Sequence, residues 1–211
     1  LKDPRISRFV PFYAELLAEL GIEPCYVMPF RNPLAVAASL KARDGMTEKF
    51  ASLLWLRHVL DAEAATRGHP RTFFPYESLL DDWRSVVQTI ALRVGFTWPR
   101  PFSEAAIEIS AFLSTRHQHH APTKHELTTR AEIPHLVKDT YESLLRLEQE
   151  SGSTAVLAEL DRIRAEFDAA CQILGDATFA ELSEREVGFR AIERDLASRL
   201  SESERRLAEI K

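Results

Sequence analysis

The chain has 211 residues, of which 45% are hydrophobic and 28% charged, and its formal net charge is −5. This is ordinary for a soluble globular protein with a sizeable core. The acidic balance argues against a duplex nucleic-acid binder. No apolar run reaches the roughly 18–20 residues of a membrane span and no signal peptide is visible, so a cytoplasmic protein is expected. Cys25 and Cys171 sit in apolar-patterned segments and are expected to be buried free thiols rather than a disulfide.

Leu1-Lys2-Asp3-Pro4 reads as the continuation of a segment already under way, so a longer protein is expected. Phe9, Tyr13, Leu16, Leu17 and Leu20 then recur at helical spacing, with Gly21 as a stop. The run Cys25 to Phe30 predicts a buried strand, with a break near Pro29 because proline suits strand ends and edges. Asn32-Pro33 follows as N-cap and first helical residue of a helix to about Arg43. A long helix is predicted from Thr47 to about Arg67. Arg71 to Tyr76 reads as a second strand, and Leu79 to Val94 as one helix closed by Gly95. Strands alternating with helices predict an α/β fold, a parallel sheet flanked by helices.

Beyond Trp98-Pro99-Arg100-Pro101 the pattern changes. Glu104 to Leu113 is a short helix, and Ser114 to Thr129 is polar, His-rich and read as loop. Ile133 to Glu150 and Ala155 to Leu174 form two amphipathic helices. From Phe179 the residues Phe189, Ile192, Leu196, Leu200, Leu207 and Ile210 follow a coiled-coil-like spacing, interrupted by Ser203. The predicted organisation is an α/β domain over 1–130, a helical hairpin over 131–178, and an oligomerisation or tethering helix over 179–211.

The residues that carry chemistry begin at Arg31. A strand delivers Arg31 to its C-terminal end, where parallel sheets place ligands. The next helix points its N-terminal N–H groups at the same spot. Ser39 lies two turns down that helix. Guanidinium, hydroxyl and helix N-terminus outline a phosphate site; a solvated Arg31 and a small packing residue at Ser39 remain the other reading of the spacing. The cluster Arg116-His117-Gln118-His119-His120, with His125 and Lys124 beyond, has no carboxylate or cysteine at ligand spacing, so no metal is expected. Trp55, Trp83 and Trp98 are read as core.

Arg31-Asn32-Pro33-Leu34-Ala35-Val36-Ala37-Ala38-Ser39 resembles the 3′-phosphate-binding segment of sulfotransferases that use 3′-phosphoadenosine-5′-phosphosulfate. Lys2-Asp3-Pro4-Arg5 before it is similar to the family's preceding strand-end motif. Phe73-Phe74-Pro75-Tyr76-Glu77-Ser78-Leu79-Leu80 after it is similar to the strand whose Tyr lies against adenine. Ser39-Leu40, Arg43-Asp44 and Leu54-Trp55-Leu56 point to the bacterial branch, whose members often accompany glycan-building enzymes. The likeness covers roughly residues 1–125. It implies Arg31 and Ser39 on the 3′-phosphate, Tyr76 on the adenine, and Arg116 and His117 as nucleotide or acceptor contacts unless that loop is simply solvated.

The family's other half-site is a Gly-, Ser- and Thr-containing loop around the 5′-phosphosulfate. The chain has no Gly before Gly21 and no such loop, so the fold is expected to be P-loop sulfotransferase-like but N-terminally incomplete. The family's reactive Lys corresponds to Lys2, and its His falls near Pro4, which leaves Asp3 as the candidate base unless the base lies upstream. The implied activity is sulfuryl transfer from the nucleotide co-substrate to a hydroxyl or amine of a glycan or small metabolite, without a metal. The alternative is a non-catalytic binding or assembly module that self-associates or tethers a partner through its C-terminal helix.

Overall fold

The computed structural model describes residues 4–114, 122–150 and 152–172. Contacts divide the chain into two compact units, Leu1–Arg164 and Ala165–Lys211. The first is mostly helical around a two-stranded parallel sheet, β1 (Tyr26–Phe30) beside β2 (Arg71–Pro75). The helices are α1 (Val10–Glu19), α2 (Pro33–Asp44), α3 (Glu48–Ala65), α4 (Tyr76–Asp81), α5 (Trp83–Val94), α6 (Phe102–Ser114), α7 (Lys124–Thr129) and α8 (His135–Gln149), with a short 3-10 helix at Pro4–Arg8. A further helix, α9, runs over 154–172. No helix among the described residues is long and apolar enough to cross a membrane.

The two strands differ in environment. Thr72, Phe73 and Phe74 of β2 are all buried, as expected of a strand covered on both faces. β1 alternates between half-buried and exposed residues until Phe30, so the fully buried strand expected from its apolar run is in fact an edge. The Tyr26 N–H donates to the Pro70 carbonyl at 2.9 Å. Alternation along the ladder therefore turns the backbone groups of Met28 and Phe30 to β2 and those of Val27 and Pro29 to the open side. Pro29, which has no N–H to give, stands where no bond to β2 is lost. Cys25, just before the strand, is exposed, and so is Cys171. The expected burial of both thiols is overturned: Cys25 alternates onto the same open side of the segment as the exposed Val27 and Pro29, which no described element covers, and Cys171 is on the solvent side of α9.

Asn32 caps α2 by accepting from the Leu34 N–H at 3.0 Å, and Gly45 ends the helix in the left-handed conformation, φ 70°, which a residue without Cβ adopts at little cost. The predicted helix Leu79–Val94 is instead two. Asp82, at φ −144° and ψ 77°, breaks the chain and its carboxylate caps α5 by accepting from Ser85 N–H. The predicted loop before Thr129 holds α7, opened by a reciprocal capping box between Thr123 and Glu126. Trp55 and Trp83 are core residues, and Trp98 packs half-buried against Phe74, Ile90 and Val94.

α8 lays Leu136, Val137, Thr140, Tyr141, Leu144 and Leu147 against the interior, a three-and-four spacing that makes one apolar stripe. Its contacts are chiefly with β2 and α3. In α9, Val156, Leu160 and Ile163 are buried. A charged knot joins the elements: Glu63 is only 1% exposed and its carboxylate accepts from Arg67, in the turn just past the end of α3, and from Arg71 of β2. Arg67 reaches on to Asp161 of α9 at 2.7 Å. By contrast α1 exposes Phe12 and Leu16, with Phe9, Leu20 and Ile22 at its flanks. The helical spacing is present as expected, with Tyr13 and Leu17 half-buried, and the appreciable contacts of α1 are with the 3-10 segment and α3.

Candidate functional site at the strand ends

The register pairs Phe30 with Pro75, so the next residues, Arg31 and Tyr76, leave the sheet side by side. Two residues separated by forty-five positions of sequence are thus brought together by one parallel pairing. The Arg31 guanidinium carbon stands 5.5 Å from the centroid of the Tyr76 ring, within the range of a cation–π contact. On its other edge, Arg31 Nε faces Glu77 Oε1 at 3.9 Å, an ion pair too long to be a hydrogen bond. Arg31 Nε and both Glu77 oxygens are buried without a hydrogen-bond partner. The side chain as a whole is 38% exposed. The Arg31 η nitrogens make no hydrogen bond to a described residue, so one edge of the guanidinium is buried against a carboxylate and the remaining fork is free.

The wall behind this pair is aromatic. Tyr141 of α8 meets Phe30 edge-on at 5.9 Å and Trp55 at 6.4 Å between ring centroids. Burial first, and then the negative charge of Glu77, push the Tyr141 hydroxyl up to about 12. The second cause is the Glu77 carboxylate acting on the phenol through its charge.

Asn32 has a second task besides capping. It is 1% exposed, and its Nδ2 donates to the carbonyls of Pro122 and Thr123 at 3.0 and 3.2 Å. The segment entering α7 is thereby fixed over the N-terminus of α2. Ser39 is exposed on α2, about 9 Å along the axis from Pro33 by helical rise, and its hydroxyl makes no hydrogen bond to a described residue. Lys2, Asp3, Arg116 and His117 to His120 lie outside the described residues, as does the coiled-coil-like segment over 179–211.

Two cavities lie elsewhere. One of about 320 Å³ runs beside α2 and is lined by Leu34, Ala38, Glu126 and Arg130. Its arginine is already engaged by Glu48 and Glu132, which hold the guanidinium above its ordinary range. The other, about 260 Å³, lies between β2 and α5 and carries Asp81, Asp82 and Arg93; Arg93 donates to the Glu148 carbonyl at 2.6 Å. Neither offers a free cation. Among the described residues no group of His, Cys, Asp and Glu is arranged to hold a metal ion.

Of the residues singled out from sequence, Arg31 and Tyr76 come together, and Ser39 stands on the intervening helix. Sequence reasoning missed Glu77 and Tyr141. Glu77 directly follows Tyr76 at a strand end, a position that could have marked it; nothing in the sequence linked Tyr141 of α8 to the site. Comparison with protein-family models, with curated proteins and with solved structures finds no match to the chain.

Proposed function

We propose that the chain carries the 3′-phosphate-binding half of a P-loop sulfotransferase-like fold, and that the protein moves a sulfuryl group from 3′-phosphoadenosine-5′-phosphosulfate to a hydroxyl or amine of a glycan or small metabolite. The observation that supports this is the Arg31 fork, whose η nitrogens make no hydrogen bond to a described residue, beside the Tyr76 ring and just before the N-terminus of α2. A guanidinium fork and helix N–H groups suit a phosphate, and the tyrosine ring offers a flat face for a base. In this reading Arg31 and Ser39 bind the 3′-phosphate, and Tyr76 the adenine. Arg116 adds a further contact. Lys2 and Asp3 serve the transfer itself: the acceptor oxygen attacks sulfur in line, Asp3 takes its proton, and Lys2 offsets charge on the bridging oxygen as it leaves with the nucleotide.

The test is calorimetric titration with adenosine 3′,5′-bisphosphate. Arg31→Ala is expected to weaken binding by about 1.5–3 kcal/mol, the worth of a charge-assisted hydrogen bond. No binding by the parent chain, or equal binding by the variant, refutes the proposal. A second reading, a binding or assembly module of the same ancestry, is favoured by one observation: the exposed apolar row of Phe9, Phe12, Leu16 and Leu20. Nucleotide binding without any sulfuryl transfer by the protein would favour that reading.

A further inference from the structure

We infer that Glu77 is a positioning residue for Arg31: its carboxylate holds the Nε edge of the guanidinium so that the η nitrogens face outward across the ends of β1 and β2. This rests on the reading of Arg31 as the anion-binding group. Glu77 is the second residue after β2, in the first turn of α4, and with Phe30 paired to Pro75 its carboxylate comes within 3.9 Å of Arg31 Nε. Neither Glu77 oxygen has a hydrogen-bond partner, and both are closed to solvent. A carboxylate withdrawn from water without a donor is costly unless a positive charge compensates it, and Arg31 is the cation facing it. Because its oxygens are closed to solvent, Glu77 acts through Arg31 and not by touching a ligand. Arg31 is thereby held between two restraints, the Tyr76 face at 5.5 Å and the Glu77 carboxylate. A long arginine that is already restrained loses less rotamer freedom when an anion arrives.

The experiment uses the full chain labelled with nitrogen-15 and three variants: Glu77→Gln, Arg31→Ala and the two combined. The Arg31 Nε–Hε resonance, identified by its loss in Arg31→Ala, is expected to move in Glu77→Gln. In calorimetry with adenosine 3′,5′-bisphosphate, Glu77→Gln is expected to weaken binding about five- to tenfold, and to have no further effect once Arg31 is alanine, as for residues that act as one unit. An unmoved resonance overturns the inference, as do independent losses that simply add. Tighter binding by Glu77→Gln also overturns it, since the carboxylate would then only oppose the anion. If the glutamine variant fails to fold, Glu77→Asp is read in the same way, with a moved resonance and weakened binding expected. Should the parent chain not bind the nucleotide at all, the proposed function falls, while the resonance still decides whether Glu77 sets the place of Arg31.

Discussion

Replacing Glu63 by Ala removes the acceptor at the centre of the charged knot. Arg67 loses a bidentate partner, with Nη2 at 2.7 Å from Oε2 and Nε at 3.0 Å from Oε1, and Arg71 loses a contact of 2.9 Å. The two arginines fare differently. The Arg67 side chain is 29% exposed and keeps Asp161, whereas Arg71 is 14% exposed and keeps the Glu63 carbonyl, the Thr66 hydroxyl and the Phe73 ring but no carboxylate among the described residues. Breaking a buried pair by removing one partner costs ~3–5 kcal/mol, most of it from the charge left behind. Because Arg67 retains water and a second carboxylate, the low end, about 3 kcal/mol, is expected. With a urea slope of about 2 kcal/mol/M, the unfolding midpoint should fall by about 1.5 M. A fall of less than about 0.3 M would refute the reasoning, since the knot would then be a surface ion pair in energetic terms. Replacing Glu63, Arg67 and Arg71 together by methionine should recover much of the loss, because no buried charge is then left unpartnered.

Asn32→Ala is expected to cost about 2 kcal/mol: roughly 1 for the lost helix cap and about as much again for the two bonds to Pro122 and Thr123. The same variant should speed hydrogen exchange at Leu34 and proteolysis near residue 122, and unchanged exchange would contradict the tethering role. Tyr141 gives a pH prediction. Its hydroxyl ionises near about 12 in the folded chain and near 10 when unfolded. Between these values the unfolded state has already released the proton that the folded state keeps, so stability is full below about pH 10 and falls as pH rises towards 12. Tyr141→Phe should flatten that fall, and the late phenolate absorbance of Tyr141 should move to lower pH in Glu77→Gln.

Much of the site's local frame was legible in the sequence because it depends on neighbours in the chain. Asn32-Pro33 announces a capped helix by composition alone, and the cap forms as expected. Gly45 and Gly95 end α2 and α5 at φ 70° and 73°, where only glycine rests easily. Asp82 was harder to read. The apolar spacing from Leu79 to Val94 runs through it without interruption, and only the capping preference of aspartate hints that the chain breaks there. The thiols were misread for a different reason. Periodicity identifies which residues share a face, but not whether another element covers it. Of the spaced residues of α1 and its flanks, Phe9, Leu16 and Leu20 are exposed while Tyr13 and Leu17 are half-buried.

The candidate site residues divide along the same line. Arg31 and Tyr76 were found separately, each from its own short motif, but their contact follows from strand register, which neither motif contains. Once β1 and β2 are parallel with Phe30 opposite Pro75, the side chains that follow must meet, and Glu77 comes with Tyr76 as the next residue of the chain. Tyr141 could not be read in this way, since it enters from α8 more than sixty residues later and joins the site through packing on Phe30 and Trp55. The setting of Arg31 therefore depends on three levels at once: an arginine just past a strand end, a register that supplies tyrosine beside it with glutamate next in the chain, and a distant helix that packs on the neighbouring Phe30. Sequence motifs carry the first level. The second and third supply the reason a lone arginine at a strand end becomes a directed one.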